Sequence, residues 1–65
     1  MNLVEGLHEQ MNRCRCLVKD YEALGPAGSF GKTVIQNSIK NGETAIASGD
    51  VIKMLAAYKD LKERK

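Results

Sequence analysis

Sixty-five residues make one small domain, residues 1–65, and a chain of that size buries only about 60% of the surface its unfolded form exposes. Ten basic residues stand against eight acidic ones, interspersed, for a net charge of +2. That balance is too weak for a surface built to hold nucleic acid or an anionic membrane, so both are disfavoured as partners. No apolar run approaches the ~20 residues that cross a bilayer, and the N-terminus lacks the basic-then-apolar pattern of a signal peptide.

Residues 2–24 read as one amphipathic helix. Val4, Leu7, Met11, Cys14, Val18 and Tyr21 recur in alternating steps of three and four, the spacing of a heptad seam. Leu3, Leu17 and Leu24 flank the same side. Glu5, Glu9, Asn12, Lys19 and Glu22 take the opposite face. Cys14 and Cys16 point to different sides of this helix and cannot bridge each other. Cys14 falls on the apolar stripe and Cys16 on the outer face, and Arg13 and Arg15 beside Cys14 are placed to lower its thiol pKa. His8 reads as a surface residue, with no second ligand or nucleophile near it.

Gly25-Pro26 breaks the first helix. A second starts within 26–32, with Gly25 or Ser29 as its cap. Phe30, Val34, Ile35, Ile39 and Ile46 supply its apolar side, and Gly42 in its middle suits a close helix crossing. Ser48-Gly49-Asp50 ends it, with Gly49 as a left-handed stop and Asp50 as the next N-cap. The third helix covers about 51–62, with Val51, Met54, Leu55, Tyr58 and Leu61 facing one way. Lysines crowd its C-terminal end, where they favour the helix dipole.

The fold expected is therefore all-α: three helices, the first two a hairpin across Gly25-Pro26. Disulfides and Cys/His zinc spacing do not reinforce so small a core. The extra burial is expected from self-association into a homo-oligomeric helix bundle, a dimer in its simplest form. Val4, Leu7, Met11, Cys14, Val18 and Tyr21 are the expected interface. Two free thiols suit a reducing compartment, so the expected location is cytoplasmic.

Two features invite a functional reading. Gly28-Ser29-Phe30-Gly31-Lys32-Thr33 ends in Gly-Lys-Thr, but a phosphate loop needs a first glycine where Pro26 stands and a strand before it. That excludes a nucleotide hydrolase and leaves a weaker idea. Gly28, Gly31, Lys32 and Thr33 lie near a helix start, where free N–H groups favour an anion. The second feature is a polar stripe. Thr33, Asn37, Asn41, Thr44 and Ser48 share one helix face and carry no charge, whereas a solvated face would use Lys and Glu. Such a face hydrogen-bonds a polar ligand, with Asn37 and Asn41 central to it, or forms the rim of an oligomer interface.

Met1–Arg15, the turn Glu22-Ala23-Leu24-Gly25-Pro26-Ala27-Gly28 and the junction Ala45-Ile46-Ala47-Ser48-Gly49-Asp50-Val51 resemble short accessory proteins encoded by temperate phages of Gram-negative bacteria. The resemblance spans nearly the whole chain through structural motifs and transfers no functional residues. It implies a context: small phage proteins that block host factors or defence systems, some by sequestering nucleotide signals at helical oligomer interfaces. The function expected is non-catalytic inhibition, with no cofactor and no metal. Its partner is either a phosphate-bearing small molecule, held by Gly28, Gly31, Lys32, Thr33, Asn37 and Asn41, or a host protein.

Overall fold

A computed structural model describes residues 2–65. It contains α1 (Leu3–Ala23), a 3-10 turn over Gly25–Gly28, α2 (Ser29–Ser48) and α3 (Val51–Glu63), and no strand among the described residues. The bundle measures 36 × 19 × 17 Å.

Local chemistry accounts for each boundary. Asn2 caps α1, its side chain accepting from the Glu5 N–H at 2.8 Å. Gly25 takes φ +66° to leave α1, a conformation open to glycine at little cost. Pro26 starts a helical turn as expected, but that turn is 3-10. The α-helix proper begins at Ser29, which is itself helical and caps nothing. Gly49 ends α2 at φ +70°, and Asp50 caps α3 by accepting from the Ile52 and Lys53 N–H groups.

The core forms where the three helices meet. Leu7, Met11, Cys14 and Val18 of α1 pack against Ile35, Ile39 and Ala45 of α2 and Met54, Ala57 and Leu61 of α3. A methyl group added at Gly42 would sit 3.0 Å from Met11 Sδ and 3.1 Å from Leu61 Cδ1. The absent side chain at Gly42 thus admits both neighbours at the crossing. A methyl at Gly6 would lie 3.1 Å from the Tyr58 ring, which brings α3 alongside the start of α1.

This packing corrects the expected interface. Leu7, Met11, Cys14 and Val18 are buried within a single chain, because α2 and α3 together supply enough apolar surface to cover the stripe. Tyr21 is half-buried against the chain's own Gly31, and Val4 alone of the six is exposed. Leu3 and Leu17 flank the core as expected, whereas Leu24 is exposed.

Two apolar expectations on the other helices also fail, for geometric reasons. Arg64 reaches Ser38, so α3 ends level with the middle of α2. Phe30, two turns earlier, lies beyond the end of α3 and is 82% exposed. At the other end Tyr58 lies level with Gly6. The first turn of α3 therefore reaches or passes the start of α1, and Val51, Ile52 and Leu55 are exposed.

The glycines can be ranked by experiment. A methyl at Gly28 would fall 2.2 Å from the Tyr21 carbonyl oxygen, where only backbone movement relieves it. Gly28→Ala is expected to cost about 1–3 kcal/mol in urea unfolding. Gly42→Ala should cost less, because the Met11 end can turn aside and the gain in helix propensity offsets up to about 1 kcal/mol.

Candidate functional site: the groove between α2 and α3

The polar stripe of α2 and the exposed flank of α3 form the two walls of an open groove of about 660 Å³. Asn37, Asn41 and Thr44 line the α2 wall, with Val34 near one end and Ala45 deeper. Lys53, Ala56, Ala57, Asp60 and Arg64 line the α3 wall. The floor is thus small and apolar, and the rim carries amides, a hydroxyl and charge.

Arg64 is held in place from two sides. Its Nε donates to the buried Ser38 hydroxyl at 2.9 Å, and its Nη2 donates to Asp60 Oδ1 at 2.7 Å, one turn back on α3. A guanidinium has five N–H donors, so three remain for a ligand. Lys53 stands eleven residues away on the same helix, about 16 Å along the axis, and makes no ion pair among the described residues. The groove walls carry two positive groups and one negative one. The Asn37, Asn41 and Thr44 side chains make no hydrogen bond within the described residues, whereas Thr33 and Ser48 turn their hydroxyls back onto the Ser29 and Ala45 carbonyls.

The Gly-Lys-Thr turn does not join this site. Lys32 pairs with Glu22 at 3.3 Å, against α1 and away from the groove. Gly28 and Gly31 are occupied by packing: a methyl at Gly31 would lie 2.7 Å from Tyr21 Cε1. Their small size serves the packing of α1 on the turn and on the first residues of α2, so it offers no ligand a close approach to the backbone. Of the six expected ligand residues, Asn37 and Asn41 line the groove. Thr33 sits one turn before Asn37 on the helix and does not line the groove, and Gly28, Gly31 and Lys32 lie elsewhere. Lys53, Asp60 and Arg64 were not anticipated. The sequence signal for Asp60 and Arg64 was their i, i+4 spacing on α3; their meeting with Asn37 and Asn41 depends on the α2–α3 packing.

Arg13 and Cys14 serve the fold. Arg13 donates to the Leu61 carbonyl at 2.6 Å and the Arg64 carbonyl at 2.8 Å, capping the C-terminal end of α3, and Tyr21 donates its hydroxyl to the Lys65 carbonyl at 2.8 Å. Burial pushes the Cys14 thiol above its ordinary value of 9.0, outweighing the opposite pull of Arg13 and Arg64. The expected activation of this thiol is therefore reversed: its Sγ faces the Leu61 carbonyl at 3.6 Å and stays protonated. Cys16 and His8 are exposed. No cluster of three or more His, Cys, Asp or Glu side chains suited to a metal occurs among the described residues, and no helix there is long and apolar enough to cross a membrane.

Compared with family models, curated proteins and solved structures, the chain matches none of them.

The thiols and the arginine clamp give two measurable outcomes. Cys16 should react with a thiol reagent at once and Cys14 only on unfolding. Because the folded pKa of Cys14 is raised, the folded protein binds the extra proton. Its contribution is complete below the ordinary thiol value of 9.0 and falls as the pH rises above it. A Cys14→Ala variant should lose that part of the alkaline slope in unfolding titrations. Arg13→Ala should destabilise the protein by about 1–3 kcal/mol, as expected for lost hydrogen bonds to a charged donor.

Proposed function

We propose that the protein is a non-catalytic binder that sequesters a phosphate-bearing small molecule in the α2–α3 groove. The supporting observation is the site's composition: an anchored guanidinium with three free donors, an unpaired lysine, and Asn37, Asn41 and Thr44 with unused hydrogen-bonding capacity over an alanine floor. Charge-assisted donors bind phosphate oxygens. Side-chain amides select among polar edges, and the small apolar floor accepts a flat ring such as a nucleobase. The resemblance to phage accessory proteins gives this reading its setting. Sequestering a nucleotide signal in the host cytoplasm would inhibit a defence system without chemistry on the ligand.

The Asp60–Arg64 pair orients the guanidinium, with the Ser38 hydroxyl accepting from its Nε, an arrangement that suits holding a ligand. A second reading, inhibition of a host protein through an exposed helix surface, is favoured by Phe30 and by Ile52, 79% exposed.

Two lysines distinguish the groove from the turn. Titration calorimetry against a panel of mono-, di- and cyclic dinucleotides should find a ligand whose affinity falls roughly tenfold in Lys53→Ala, about 1.4 kcal/mol. The same ligand should bind Lys32→Ala unchanged. A loss with Lys32→Ala alone would move the site to the turn. No heat and no thermal shift with any member of the panel would remove the nucleotide reading and leave the host-protein one.

A further inference from the structure

One face of α2 is neither buried in the core nor solvated in the usual way. Phe30, Val34, Asn37, Asn41, Thr44 and Ser48 follow one another in steps of four, three, four, three and four, which is the a/d spacing of a coiled-coil seam. The seam runs nearly the full helix and contains no charged residue. Its Phe30 ring is almost wholly in solvent, Val34 is half-buried, and the four polar positions are exposed. Interface centres are depleted of charge in this way.

We infer that this seam pairs with the α2 seam of a second copy of the chain, antiparallel, to form a twofold dimer. The seam is self-complementary in that orientation and in that register. With the twofold axis level with Ile39, Asn37 of each copy stands opposite Asn41 of the other, Val34 opposite Thr44, and Phe30 opposite Ser48 beside Ala45. The two central layers then pair amide with amide, each able to donate and accept, and polar residues at seam positions fix register and partner number. The outer layers bury the two exposed rings. A parallel pairing would instead stack Phe30 on Phe30 and leave Ser48 facing Ser48.

The size of the contact is adequate. Eighteen residues separate Phe30 from Ser48, a seam about 27 Å long on a helix about 10 Å wide. Counting side-chain relief on both copies, it buries on the order of 1,000 Å², the lower bound for a specific interface. An isologous pairing of one patch with itself is the commonest closed symmetry. It also supplies what the expected α1 interface does not, since the α1 stripe is spent on the chain's own core. The partner's α2 roofs the groove and leaves Lys53, Asp60 and Arg64 on its inner wall, while Asn37, Asn41 and Thr44 serve both the seam and the ligand reading.

Sedimentation equilibrium at tens of micromolar tests it. The wild-type chain should sediment as a dimer. Phe30→Asp and Asn41→Lys should each weaken the dimer at least tenfold with an unchanged circular-dichroism spectrum, since both side chains are exposed. In a Cys16→Ser background, Val34→Cys together with Thr44→Cys should form an intermolecular disulfide, while Val34→Cys alone should not. A monomeric wild type overturns the inference. So does a dimer untouched by Phe30→Asp, and loss of the dimer in Ile52→Asp would assign the contact to the start of α3. Cross-linking of Val34→Cys alone overturns the antiparallel arrangement. The same samples titrated with the nucleotide panel separate the two proposals. A dimer that binds nothing removes only the ligand, and a monomer that binds removes only the dimer.

Discussion

The crossing at Gly42 is the constraint on which the rest of the molecule depends. Met11 from α1 and Leu61 from α3 both approach the bare backbone of α2 there, at distances a β-carbon would crowd. Both side chains are essentially inaccessible to solvent, and they belong to a core of ten buried hydrophobic residues among the described residues. Close approach at this point sets the height at which α3 lies along the hairpin. That height in turn puts Arg64 beside Ser38, brings Lys53 and Arg64 to the two ends of one groove, and leaves Phe30 beyond the reach of α3.

Polar groups then secure the arrangement at the end of α3, where the backbone carbonyls have no helical partner. Arg13 and the Tyr21 hydroxyl of α1 close over them, and Arg64 ties the same end to α2. A thirteen-residue helix is marginal by itself in water, so its order is tertiary in origin. Anchoring Arg64 for the fold also fixes a guanidinium in the groove with donors to spare. Structure and candidate function therefore share one side chain, and the groove is ordered before any ligand arrives.

The two exposed surfaces of α2 and α3 have different characters, and this bears on how so small a protein would act. The groove combines charge with unused amides, which suits a compact polar ligand. The seam along α2 is charge-free with an aromatic at one end, which suits another helix. Asn37 and Asn41 belong to both. On the two proposals, one helix face would serve assembly and the adjoining groove capture, and a ligand and a second copy would influence each other through those shared amides.

The sequence by itself determined the helical character, the ends of α1 and α2 and the cap of α3, because these depend on local chemistry, while the start of α2 fell on a 3-10 turn with neither expected cap. Gly25-Pro26 breaks α1, Gly49 takes the left-handed stop, Asp50 caps α3, and the α1 stripe buries Leu7, Met11, Cys14 and Val18. It also marked Asn37 and Asn41 as unusual on their face. Tertiary structure decided what those patterns pack against. A heptad stripe reads the same whether a second chain or two other helices of its own chain cover it, so the α1 interface was misassigned to another copy. Gly28 and Gly31 look like a ligand loop until Tyr21 is seen filling the space above them. Lys32 looks free until Glu22, ten residues back on the antiparallel helix, neutralises it. Lys53 and Arg64 became site residues through the relative height of α2 and α3, which follows from side-chain volumes at the Gly42 crossing and leaves no local trace in the order of amino acids.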